Sequence, residues 1–340
     1  MGDFLNKLLY RLAGSSSVNK ESLLERLISL KEADEKQFYT INKRPFYTDQ
    51  FYYAPGAPAD GRSIVIQGPL LTKNDFTFET LKLYSGLVKP SRIILSTWEN
   101  EDHAAIRQIE DLGVTVIRNK QPEFNGNQNI NLQIVSTLAG LAKAKESGAN
   151  RVLKTRTDQR IYSTSALLLF DNLLTVFPVN VPAQKHRLII TSLGTIKYRL
   201  YGAGDMLMYG DIDDMLKYWS VDLDLRRLDI KQAGDYSIRE FSQLRLGELY
   251  LCSKYFEKLG YTLDWTLKQS WELLARYFCV VDDPSVDLFW PKYDLRKEFR
   301  YKYYTEHPLQ HMTFTDWLSL YLEKEDHYPE EILNRSFGED

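Results

Sequence analysis

"NLQIVSTLAGLAKAKESGANRVLKTRTDQ", residues 131 to 159, reads as a long helix closed by Gly148 and then as a strand beginning at Arg151. The strand enters an apolar core through Val152 and Leu153 and then turns into charge. On a two-residue period Val152, Lys154, Arg156, Asp158 and Arg160 share one side, and Leu153, Thr155, Thr157 and Gln159 share the other. Three cations around one carboxylate make a poor core. Such a cluster belongs at the edge of a sheet, where charge is hydrated.

Outward from this stretch, strands and helices alternate. "SIVIQGPL" (63 to 70), "RIILSTW" (92 to 98) and "VTVIRNK" (114 to 120) are short apolar strands. "FTFETLKLYSGLV" (76 to 88) and "DHAAIRQIEDLG" (102 to 113) are the helices between them. A βαβαβαβ series with strands apolar on both faces predicts an α/β fold, a mostly parallel sheet sandwiched by helices. Further strands are expected in "HRLIITSL" (186 to 193) and "GDMLMYGD" (204 to 211), with a helix over "DIDDMLKYWS". Acids at that helix start, Asp211, Asp213 and Asp214, read first as caps and dipole partners.

The Pro- and Gly-rich "APGAPADGR" (54 to 62) sets the start of the main domain near residue 61. The expected organisation is an N-terminal helical and aromatic segment (1–60), an α/β domain (61–265) and a helical extension (266–340). In the first segment "NKESLLERLISLKEADEK" reads as a helix with Asn19 as N-cap and Leu23, Leu24, Leu27 and Ile28 on its buried side. "MGDFLNKLLYRLAG" carries an apolar stripe that would suit either docking on a protein or a membrane surface.

In 340 residues, 44% hydrophobic and 26% charged, the composition is that of a globular protein. A net charge of −3 argues against a nucleic-acid partner. Cys252 and Cys279 are the only cysteines, and both sit in apolar helical-looking sequence. Buried thiols in a cytoplasmic protein are therefore expected rather than a disulfide framework. No run of eighteen apolar residues predicts a spanning helix.

Open α/β sheets bind ligands at the carboxyl ends of their strands. There Asp158, flanked by Lys154 and Arg156, suits a diphosphate with a divalent metal: the carboxylate holds the ion and the cations oppose the phosphates. The competing reading makes Arg156 and Arg160 ion-pair partners of Asp158 or of nearby acids. His307 and His311 have metal-pair spacing, but Pro308 follows the first and no third ligand is apparent. "PKYDLRKEFRYKYY" (291 to 304) interleaves aromatic and basic residues, as a solvated helix face does or as a phosphate-bearing acceptor at a membrane would require.

"SIVIQGPL", "RIILSTWENED", "NQNINLQIVSTLAGLAKAKESGANRVLKTRTD" and "GDMLMYGDIDDMLKYW" resemble, in order and spacing, the WavE lipopolysaccharide-synthesis family, itself similar to glycosyltransferases of the GT-A fold. The resemblance covers about residues 61 to 220. It implies transfer of a sugar from a nucleotide-sugar donor to an oligosaccharide or lipid-linked acceptor, in the cytoplasm or peripherally on the inner face of the membrane. "TRTDQ" stands where GT-A enzymes keep an Asp-x-Asp motif, and Asp158 is its only acid. The resemblance thus implies manganese or magnesium at Asp158. It also implies donor contacts from Gln67 and Gly68, from Ser96 and Thr97 unless these cap the next helix, and from Asn131 and Gln133, with phosphates near Lys154 and Arg156. Asp205 would bind a sugar and Glu248 would be the base, or the reverse; a helix-dipole role for Glu248 stays open. The alternatives are a non-catalytic nucleotide-binding scaffold of this fold and a nucleotidyltransferase, which usually needs a second acid near Asp158.

Overall fold

The structure, a computed structural model, describes residues 20–35, 44–50, 61–291, 309–324 and 327–337. The chain divides into two compact units, residues 1–45 and 46–340. In the first, helix α1 (Lys20–Glu35) forms as expected. Its apolar residues are not buried: Leu24, Leu27 and Leu30 are exposed. The N-terminal apolar stripe, Asn19, and the basic-aromatic stretch from residue 292 onward lie outside the described residues. Among those described, no helix is long and apolar enough to cross a membrane.

The second unit is α/β. Seven strands form one sheet in the order β3-β2-β1-β4-β7-β6-β8. They are β1 (Arg62–Gln67), β2 (Ile93–Trp98), β3 (Thr115–Asn119), β4 (Arg151–Arg156), β6 (Leu188–Thr191), β7 (Met208–Asp211) and β8 (Phe278–Val281). A separate ribbon pairs β5 (Arg160–Ile161) with β9 (Leu288–Phe289). β1 runs parallel to β2 and β4, β2 to β3, and β6 to β8, while β7 is antiparallel to both β4 and β6. Thus β7 alone runs against the other strands of the sheet. The unbroken apolar runs Ile64 to Ile66 of β1 and Ile93 to Leu95 of β2 are buried, as cover on both faces requires.

Between the strands lie α2 (Phe76–Tyr84), α3 (His103–Glu110) and α4 (Ile130–Glu146), as the sequence predicts. α4 packs on β1 and β2. Its close approach depends on Gly140, because a Cβ there would overlap the side chain of Val65 on β1. α5 (Ala166–Val176) and α6 (Ile212–Trp219) follow, the latter capped by Asp211, whose carboxylate accepts the Asp213 N–H at 2.9 Å. Asp213 faces Lys145 and Lys185, and Asp214 accepts the N–H groups of Lys185 and His186. These acids therefore serve the helix start and its neighbours.

Later in the chain come α7 (Ile238–Gln243), α8 (Glu248–Lys258), α9 (Leu267–Tyr277) and α10 (Phe314–Tyr321). The region expected as a helical extension beyond residue 265 also supplies β8, an edge strand of the central sheet. Four residues, all buried, are enough to close that edge, and a run so short gives no readable alternation after α9.

Candidate functional site

A cavity of about 1050 Å³ opens at the carboxyl ends of β1, β2 and β4. Gln67 and Arg156, paired in register at those ends, form its floor with Gly68, Thr157 and Asp158. The turn into α4 contributes Gln128, Asn129 and Gln133; the loop before β7 contributes Asp205; the first residue of α8 contributes Glu248. Phe76, Trp98, Phe289 and Trp290 are aromatic residues of its lining.

Gly68 has φ +120, a conformation that side-chain-bearing residues rarely adopt, and its N–H bonds the Ser96 carbonyl at 3.1 Å. Gln67 lines the cavity while its Oε1 accepts the Ser136 hydroxyl at 2.9 Å. Gln133 Oε1 is buried there without a hydrogen-bond partner.

Ser96, Thr97 and Asn131 are buried and do not line the cavity. Ser96 donates to the Ser136 carbonyl at 2.6 Å and accepts from Asn119 at 2.9 Å. Thr97 bonds Glu101 at 3.0 Å. Asn131 clasps the backbone of Asp224, donating to its carbonyl at 2.9 Å and accepting its N–H at 2.6 Å. At the start of α4, Asn127 bonds Asp224, and Asn129, at the N-cap, is left-handed without a side-chain cap bond. The α4 entry instead carries strain, with Gln128 at φ 55 and Asn129 at φ 62, both facing the cavity.

The cations of the opening stretch separate. Arg160 is buried away from the cavity, its guanidinium bonding Thr80 and the carbonyls of Phe46 and Phe76 at 2.9 Å each. Lys154 is fully buried behind the floor, donating to the Asp205 carbonyl and standing 4.6 Å from the Trp219 ring centroid. Burial lowers its pKa to about 7. Only Arg156 faces the cavity, and it forms a two-pronged pair with Asp158: Nε to Oδ1 at 2.8 Å and Nη2 to Oδ2 at 2.9 Å. Its guanidinium lies 5.3 Å from the Trp290 ring centroid.

That pair bears on the expected metal. Both Asp158 oxygens are engaged by Arg156, so an ion there would have to displace the guanidinium. Among the described residues no group of three His, Cys, Asp or Glu side chains could hold one. His311 pairs through its backbone with Ile196, and His307 lies outside the described residues. The side chains present do not fit a resident ion at Asp158. Both cysteines are buried and unbridged, as expected.

The two remaining carboxylates have different surroundings. Asp205 is buried and its Oδ2 has no hydrogen-bond partner. Glu248 accepts from Arg199 Nη1 at 2.6 Å. Burial, with Asp205 acting the same way, raises the Glu248 pKa above the ordinary carboxylate range, while Arg199 opposes the shift. Gly247, φ +53, lets the chain pass Gln128: a Cβ at Gly247 would lie 2.6 Å from Gln128 Oε1. Gln128, Arg199, Phe289 and Trp290 were not marked by any sequence motif. The Gly just before Glu248 was the visible signal at this wall, because a close approach requires it.

The family described as "WavE lipopolysaccharide synthesis" matches residues 62–337. The chain belongs to that family. The match takes in the sheet, the cavity lining except Phe46, and the chain from residue 266 to residue 337. Among curated proteins none matches this WavE-family chain significantly. Among solved structures, a cytidylyltransferase from Leptospira borgpetersenii serovar Hardjo-bovis (strain JB197) is 12% identical, with 81% of this chain and 97% of that one covered and a TM-score of 0.37. A mannose-1-phosphate geranyltransferase from Thermus thermophilus is 13% identical, covering 57% and 71%, with a TM-score of 0.33. A putative glucose-1-phosphate thymidylyltransferase from Bacillus anthracis, in complex with a sucrose, is 12% identical, covering 54% and 83%, with a TM-score of 0.30. Likenesses at these scores carry no weight for function.

Proposed function

We propose that this WavE-family protein is a glycosyltransferase, moving a sugar from a nucleoside-diphosphate sugar to an oligosaccharide or lipid-linked acceptor during lipopolysaccharide assembly. The observation that carries the reading is the presence of two carboxylates, Asp205 and Glu248, in the lining of one cavity, the second with its pKa raised by burial. Ionised carboxylate oxygens accept hydrogen bonds only, so the ligand they suit presents hydroxyl donors, as a sugar does. In an inverting transfer the acceptor hydroxyl attacks the anomeric carbon and Glu248 takes its proton. The bond from that carbon to the diphosphate oxygen breaks with its electron pair going to the diphosphate. Arg156, paired with Asp158, and Lys73 are the cations that line the cavity among the described residues, and they would oppose the charge of the leaving diphosphate. Asp205 orients the sugar.

A non-catalytic nucleotide-binding scaffold is the second reading, favoured by the grip of Arg156 on Asp158. Incubating the full chain with a panel of nucleotide sugars separates the two. The transferase reading expects slow release of a nucleoside diphosphate and free sugar, reduced about 10²- to 10⁴-fold in Glu248→Gln, the usual contribution of a general base. Binding without turnover supports the scaffold. Pyrophosphate release from a nucleoside triphosphate would instead mark a nucleotidyltransferase.

A further inference from the structure

Lys154 was expected to face the donor, yet it is fully buried and absent from the cavity wall. A buried ammonium needs acceptors, and this one bonds the backbone carbonyl of Asp205, not its carboxylate. Its ammonium also lies over the ring of Trp219, at the end of α6. The turn that carries Asp205 is held from a second direction. Gly204 donates its N–H to Thr195 Oγ1 at 3.1 Å, and that hydroxyl donates to the Thr191 carbonyl at 2.7 Å. A Cβ at Gly204 would lie 3.0 Å from Thr195 Oγ1 and 3.1 Å from the Leu193 carbonyl, so the backbone there has little room to shift. Among the described residues, the hydrogen bond that reaches the carbonyl of Asp205 itself comes from Lys154.

We infer that Lys154 is a positioning residue, holding the Asp205 backbone so that this residue stays in the cavity wall rather than turning its carboxylate inward to the cation. The Lys154 side chain sits within electrostatic reach of Asp205, Asp158 and Arg156. Sugar contact by Asp205 rests on the glycosyltransferase reading; the Lys154 bond does not.

The test uses the full chain with Lys154→Met, which keeps length without a donor, and Lys154→Gln, which restores an uncharged donor. Hydrogen exchange is measured first. Removing a hydrogen bond from a charged donor should speed exchange at the amides of residues 204 to 206 by about ten- to a hundredfold in the Met variant, with β1 and β4 unchanged and partial recovery in the Gln variant. Unchanged exchange at that turn, sheet-wide acceleration, or failure of both variants to fold makes Lys154 a core residue and overturns the inference. Binding of UDP, GDP, ADP and CDP and of their sugar conjugates is the second arm. The Met variant should weaken sugar conjugates about tenfold more than the diphosphates, as Asp205→Asn does, and the double variant should lose no more than either alone. Equal losses for conjugate and diphosphate overturn the role at the site. If the wild-type chain binds none of these nucleotides, the glycosyltransferase reading fails, and the exchange arm still decides Lys154.

Discussion

Arg199 donates to Glu248 at 2.6 Å, and its guanidinium lies over the stacked rings of Phe241 and Phe337, whose centroids are 3.8 Å apart. The cation that orients the candidate base is therefore seated on a residue close to the end of the chain. Phe337→Ala removes half of that seat. A loss of about tenfold in kcat with little change in KM is expected, the size of one cation–π contact of about 1 to 2 kcal/mol. Steady-state kinetics on the turned-over nucleotide sugar would show it, and an unchanged kcat would separate the C-terminal residues from the site.

Glu248 must be ionised to accept a proton, and burial raises its pKa. The activity should therefore fall as pH drops through a value above the ordinary carboxylate range. The stability effect has the opposite sense: a carboxyl whose folded pKa is raised stabilises the fold below its unfolded value and loses that contribution as pH rises through the folded one. A pH–rate profile with its acidic limb at or below the ordinary range of glutamate would contradict the assignment.

Arg156 occupies both oxygens of Asp158. Manganese alone should leave the melting temperature of the wild-type chain unchanged. Arg156→Ala removes the guanidinium from both oxygens of that carboxylate, and millimolar manganese with a nucleoside diphosphate should then raise the melting temperature by about 2 °C or more, as expected for a ligand present well above its dissociation constant. Differential scanning fluorimetry distinguishes the two; a clear shift with manganese in the wild type would return the ion to Asp158.

Lys154 has its pKa lowered to about 7 by burial, against 10.5 for an unburied lysine. Between those values the unfolded chain holds a proton that the folded chain does not, so this residue's contribution to stability rises with pH across that window. Lys154→Met removes the penalty of burying the charge. Its gain in melting temperature should be several degrees at about pH 6 and shrink toward about pH 10, as thermal melts at the two pH values would reveal.

Gly140 lets α4 approach β1 where a Cβ would overlap Val65. Gly140→Ala gains helix propensity of about 1 kcal/mol but forces the helix outward, and overpacking of about 1 to 3 kcal/mol should dominate. Urea denaturation should show a net loss of stability. A stabilised variant would mean that the sheet yields at Val65.

Much of the α/β order was legible because burial on both faces leaves a mark in local sequence. Ile64, Val65 and Ile66, and likewise Ile93, Ile94 and Leu95, are apolar runs with no alternation, separated by helices. Asp205 and Glu248 were legible as carboxylates after glycines at element boundaries, and both line the cavity. Ser96, Thr97 and Asn131 show the limit. A polar residue at a strand end or helix start has the same local pattern whether it meets a ligand or a neighbouring backbone.

The sequence by itself determined the alternation of strands and helices and the cluster of charge at the end of β4, since both depend on residue periods within a few turns of chain. Tertiary structure alone decided that Arg156 would take Asp158, that Lys154 would turn beneath Asp205, and that Arg199 would meet Glu248 from 49 positions away. Buried polar groups must pair with whatever the crossovers bring near them, and that neighbourhood is written in no single stretch of chain.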